Sequence, residues 1–144
     1  MARGCWNEAG DFLKQELDLN PDCLKTKNKL GVVLVNLGDT DGAGKLFREV
    51  LDNDSLFAPA YNNLGNLARE EGRIGEAIRF YHKSIACDPK YSTPHNNLAV
   101  VYKEQGHYDL FVKEMRTARR LVGQGKGRSV FGRIFWFIGG GPLE

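Results

Sequence analysis

Apolar residues in the middle of the chain fall into two blocks with helical spacing. In the first, Tyr61, Leu64, Gly65 and Ala68 stand three, four and seven positions apart, which puts them on one face of a helix over residues 58–71 that ends at Gly72. In the second, Ala77, Ile78, Tyr81 and Ile85 make the same stripe and predict a helix over residues 74–87. Asp88 and Pro89 stop it, because proline disfavours helical geometry in the residue before it. Gly65 and Ala77 sit beside the large apolar residues and let a neighbouring helix approach closely. Two short helices joined by a glycine turn pack antiparallel.

The same pattern returns every 34 residues. Asn28, Leu30 and Gly31 recur as Asn62, Leu64 and Gly65, and again as Asn96, Leu98 and Ala99. Gly38, Gly72 and Gly106 keep the step, as do Phe47, Tyr81 and Met115. A fixed period of this length marks an array of helix pairs that stack on a shared core. The register also runs backwards, since Gly4, Ala9, Leu13 and Pro21 lie one period before Gly38, Ala43, Phe47 and Ser55. Residues 5–20 therefore read as the second helix of a unit without its first. The expectation is a piece of a longer array, or an array that opens on a half-unit cap.

Spacing and residue types together resemble the tetratricopeptide repeat (TPR) family. The middle unit matches best, through Tyr61, Leu64, Gly65, Gly72, Ala77, Tyr81 and Pro89. The first unit has Ser55 where the closing proline belongs, and the third has Phe111 for the alanine. The resemblance implies an all-α, right-handed superhelical array of antiparallel helix pairs, followed by a C-terminal non-repeat helix. The division it gives is a half unit over residues 1–23, units over 24–57, 58–91 and 92–123, and a tail over 124–144. It also implies that the first helix of each pair lines a concave groove and binds a protein or peptide.

The residues so placed are Asn28, Lys29, Val32 and Val35, then Asn62, Asn63, Asn66 and Arg69, then Asn96, Asn97, Val100 and Lys103. An asparagine amide offers both donor and acceptor, so a ladder of them suits the backbone of an extended peptide. The competing reading is that Asn63 and Asn97 bond between helices and hold the stacking. A chaperone-tail clamp is not expected. Asn28 and Val32 stand where that clamp wants lysine and asparagine, Thr93 and Asn97 where it wants lysine and arginine, and only Asn63 fits.

Charge changes the picture at one end only. The net charge is +2, yet residues 1–111 carry 13 basic and 16 acidic residues, whereas residues 112–133 carry seven basic and one acidic. Lys113, Arg116, Arg119, Arg120 and Arg128 form this basic patch. Beyond Gly123 the period fails and residues 124–127 read as a flexible connector. Phe131, Ile134, Phe135, Trp136 and Ile138 then make an aromatic helix. It would cap the last unit, insert into a groove to assemble copies of the chain, or touch a membrane surface beside the basic patch. No stretch approaches the ~20 apolar residues that span a bilayer. Leu143 and Glu144 read as a cloning remnant.

Catalytic signals are missing. Cys5, Cys23 and Cys87 are odd in number and far apart, which fits reduced thiols in a cytoplasmic protein. His82, His95 and His107 share no ligand spacing, and His95 reads as packing in the place of Tyr61. No phosphate loop or nucleophile motif occurs, and basic and aromatic residues are not interleaved for nucleic acid. The expectation is a cytoplasmic, non-enzymatic interaction scaffold with no cofactor and no metal. The alternative is a self-assembling or membrane-associated protein driven by its tail.

Overall fold

The computed structural model describes residues 2–125. The predicted assembly helix and Arg128 lie outside the described residues. Seven helices follow one another among these residues: α1 (Ala2–Leu19), α2 (Leu24–Leu37), α3 (Thr40–Asn53), α4 (Ala58–Glu70), α5 (Ile74–Cys87), α6 (Thr93–Glu104) and α7 (Tyr108–Gly125). Helices α2–α3, α4–α5 and α6–α7 pack as pairs, and α1 packs on α2. Residues 124 and 125, expected to open a connector over residues 124–127, belong instead to α7, and the rest of that connector lies outside the described residues.

The turns explain the period. Gly38, Gly72 and Gly106 adopt φ of 92°, 77° and 77°, left-handed geometry that residues with a side chain rarely take. At each, two hydrogen bonds close the preceding helix, and in the first the glycine N–H reaches Val35 O, Arg69 O or Lys103 O. In the second the next residue's N–H reaches one carbonyl further back, Asp39 to Leu34 O, Arg73 to Ala68 O and His107 to Tyr102 O. Gly4, in the same register, instead lies inside α1. Asp39 then caps α3 by accepting from Gly42 N–H at 2.8 Å. Between units an aspartate shapes the turn, with Asp54 accepting from Leu56 N–H and Asp88 from Lys90 N–H. The aspartate turn therefore forms at Asp54 without the proline that follows Asp88.

Three apolar clusters run through the array. Leu13, Leu30 and Val33 join α1 to α2, with Trp6, Leu17 and Leu37 at the edge. Ala43, Phe47, Val50, Ala60, Leu64 and Leu67 join α3 to α4. Ala68, Ala77, Tyr81, Leu98 and Val101 join α4 and α5 to α6. Phe80 bridges the last two clusters. Tyr61 is only half-buried, contrary to its placing on the buried stripe, and it tilts against Phe80 at 6.5 Å with Lys83 over its ring.

First helices of successive units touch, α2 with α4 and α4 with α6, whereas the described second helices α3, α5 and α7 do not touch one another. The closer row is the inside of the curve. That curvature makes α2, α4 and α6 the lining of the groove.

Candidate functional site

The groove wall is a chain of asparagines. Asn63 Nδ2 donates to Asn28 Oδ1 at 3.0 Å, and Asn97 Nδ2 donates to Asn62 Oδ1 at 2.8 Å. Both bonds join one first helix to the next, and both span 35 residues, so the same rung is built twice. Asn97 Nδ2 also reaches Asn66 Oδ1 at 3.0 Å, which uses both of its N–H groups. Tyr81 Oη donates to the same Asn66 Oδ1 at 2.8 Å from the second helix of the unit.

These bonds revise the expected groove residues. Asn62 is 2% exposed and its carbonyl is taken by Asn97, so its side chain belongs to the wall and does not face the groove. Its counterparts differ only in their neighbours. Asn28 is half-buried beneath Asn63, and Asn96 is exposed, with no donor above it among the described residues. Asn63, Asn66, Arg69 and Asn97 are half-buried, and Lys29, Val32, Val100 and Lys103 are exposed.

Two acceptors stay open. Among the described residues neither Asn63 Oδ1 nor Asn97 Oδ1 accepts a hydrogen bond, and no buried side-chain polar atom there lacks a partner, so both oxygens are accessible. Beside Asn63 is a cleft of about 210 Å³ lined by Val32, Val35, Asn36, Asn63, Asn66, Leu67 and Glu70. Val32, Asn66 and Val100 occupy one register position in the three units, so the groove alternates apolar, polar and apolar.

Some features were not read from the sequence. Ser84 is fully buried and donates to Ala58 O at 2.8 Å, tying α5 to the start of α4. His95 and Glu114 are both buried, with Nδ1 and Oε2 2.6 Å apart, and lock α6 to α7. The signal was present: Glu114 stands where the earlier units have Leu46 and Phe80, and His95 where the middle unit has Tyr61. An apolar contact between helices is replaced by a polar one.

The basic residues Lys113, Arg116, Arg119 and Arg120 all lie exposed on α7, and none is in an ion pair among the described residues. No group of three or more His, Cys, Asp or Glu that could hold a metal occurs among the described residues. No described helix is long and apolar enough to cross a membrane.

Tyr81 gives the groove wall a pH dependence. Burial pushes its hydroxyl up to about 12, against an ordinary value near 10. Between those values the unfolded chain ionises while the folded one does not, so stability falls as pH rises through this window. Tyr102, raised by burial and by Glu114, acts in the same direction. Tyr81→Phe, which repeats the Phe47 of the first unit, should flatten the loss in urea unfolding between about pH 10 and about pH 12. It should also lower stability at neutral pH by about 1 kcal/mol through the lost hydrogen bond.

Comparison with known proteins agrees with this architecture. A family described as TPR repeat matches residues 65–106. Tetratricopeptide repeat protein 7A of Homo sapiens is 29% identical over 76 residues, which is 53% of this chain and 9% of that protein. The chain thus spans under a tenth of that relative. Among solved structures, the crystal structure of MamA protein superposes with a TM-score of 0.65 at 21% identity, covering 87% of this chain and 68% of the other. The MamA RS-1 ArsTM double mutant gives 0.66 at 18% identity, with 86% and 70% covered. Identities this low establish a shared fold.

Proposed function

Because this chain is built of tetratricopeptide repeats, we propose that it is a protein-interaction scaffold that holds an extended peptide segment of a partner along α2, α4 and α6. The observation that carries this reading is the pair of open carbonyls on Asn63 and Asn97. Asn63 is tied to the preceding first helix by one amide bond and Asn97 by two, so each oxygen is held in place before a ligand arrives. Acceptors fixed in advance lose little entropy on binding, and backbone N–H groups of any extended sequence satisfy them. Val32 and Val100 flank the rungs and supply the apolar contact that gives such a peptide side-chain preference. Binding without chemistry and a cytoplasmic location are parts of the same proposal.

A peptide-display selection against the full chain tests it. Enriched peptides should bind by titration and should lose at least tenfold in affinity to a Val32→Glu, Val100→Glu variant, whose substitutions are at exposed positions and leave the fold unchanged. Peptides that bind both proteins equally would remove the groove from the function.

A further inference from the structure

The two outermost described helices carry complementary faces. On α7, Tyr108, Val112, Met115 and Val122 form an exposed apolar row, with Met115 36% and Val122 47% accessible. Arg116, Arg120 and Lys113 flank it, Arg119 sits within it, and Asp109 is the one acidic residue on that edge. Lys113, Arg116 and Arg120 line an open cleft together with Val112 and Thr117. Arg119 occupies the position where the earlier units have Leu51 and Ile85, which pack into the clusters. The repeat pattern is thus changed from apolar to cationic at this face.

On α1 the outward face holds Phe12, 61% accessible, and Leu19, 90% accessible. Glu8, Asp11 and Asp18 flank them and are exposed, with Lys14 beyond Asp11 and paired with it at 3.7 Å. The α7 row runs by three- and four-residue steps through Arg119, and on α1 Phe12 and Leu19 stand seven residues, two turns, apart on one face.

The order of the rows is the discriminating detail. An α-helix turns by about 100° per residue, clockwise when viewed from its N-terminus. On α7 the basic row therefore lies clockwise of the apolar row. On α1 the acidic row lies anticlockwise of its own. When two parallel helices face each other, the clockwise edge of one meets the anticlockwise edge of the other, as in the charge pairs of parallel coiled coils. Parallel docking of α1 on α7 sets apolar row on apolar row and basic row on acidic row. Antiparallel docking keeps apolar row on apolar row but carries the basic and acidic rows to opposite sides of the contact, and antiparallel α7 on α7 opposes basic row to basic row.

We propose that the outward face of α7 receives the outward face of α1 from a second copy of the chain, in a parallel, head-to-tail contact. The two faces differ, so each copy has one of each to offer, and the contact propagates into an open chain or a ring. Charge pairing at the rim sets orientation and salt dependence, and the apolar rows supply the buried centre.

Sedimentation velocity on the full chain tests this. Mass should grow with concentration, and association should weaken at least tenfold between about 0.1 M and 1 M salt, where the screening length falls from roughly 10 to 3 Å. Arg116→Glu with Arg120→Glu should give a monomer, and so should Asp11→Lys with Asp18→Lys. All four positions are exposed, and an unchanged helical circular dichroism spectrum establishes that each variant folds. Mixing the two variants should restore assembly, because the reversed α7 of one then meets the reversed α1 of the other. A monomer at every concentration overturns the proposal and assigns the α7 face to the chain's own residues 126–144 or to another protein. Association that ignores the α1 reversal, or a mixture that stays monomeric, overturns it as well. None of these readings depends on peptide binding in the groove.

Discussion

Replacing Gly65 by alanine is expected to destabilise the array by about 2 kcal/mol, although alanine is the better helix former by about 1 kcal/mol. A Cβ at this position would stand 2.6 and 2.7 Å from two ring carbons of Tyr81. That ring has nowhere to go: the residue is fully buried and its hydroxyl is bound to Asn66. The backbones of α4 and α5 must separate instead, which loosens the cluster of Ala68, Ala77 and Leu98 around them. Gly31 faces Phe47 in the same way, with a Cβ contact of 2.5 Å, so the small and large residues form a matched pair in each of these units. The third unit has Ala99 and Met115 in the two positions, and the flexible methionine stands where the rigid rings were. Gly65→Ala with Tyr81→Met copies that pair. Urea unfolding of the two single variants and the double should show a favourable coupling of about 2 kcal/mol. Additive losses would mean that the ring and the glycine are not matched. Gly44→Ala is the contrast, because its new Cβ meets only the exposed Arg48 guanidinium at 3.1 Å and Leu67 at 3.7 Å. With a movable neighbour, the gain in helix propensity remains and stability should rise by up to about 1 kcal/mol.

Such pairs explain why so much of the fold was legible. The helix read over residues 74–87 coincides with α5, since its stripe, its glycine turn and its closing proline all act locally. Gly38, Gly72 and Gly106 announce the turns because no other residue takes their φ without strain. The groove was less legible for a physical reason. Asn28, Asn62 and Asn96 share one register position yet are half-buried, buried and exposed in turn. Asn28 and Asn62 each have an asparagine of the next unit over them and Asn96 has none among the described residues, a difference that depends on a residue 35 positions away. Periodicity within one helix cannot carry that information. Glu114 was missed for the same reason, as a carboxylate on an inner face makes sense only with His95 opposite.

The long-range rung also sets the second large effect. Asn97→Leu should cost about 2 kcal/mol, because it leaves Asn62 Oδ1 buried without a donor. The loss at Asn66 is smaller, since Tyr81 still donates there. Asn63→Leu should cost under about 1 kcal/mol, for its partner Asn28 is half-buried and water can replace the lost donor. The two asparagines look alike in sequence and offer the same open oxygen to a ligand, yet only one carries a structural debt. Asn62→Leu with Asn97→Leu removes donor and acceptor together and keeps the shape of both side chains. Its cost should fall below that of Asn97→Leu alone, because no unpaired polar atom is left buried. Thermal and urea unfolding of these four proteins measure the difference. Equal losses for Asn63→Leu and Asn97→Leu would show that burial of Asn62 does not govern the rung. With the predicted ranking, Asn63 becomes the position at which peptide binding is probed without disturbing the wall, and Asn97 the position at which binding and folding are coupled.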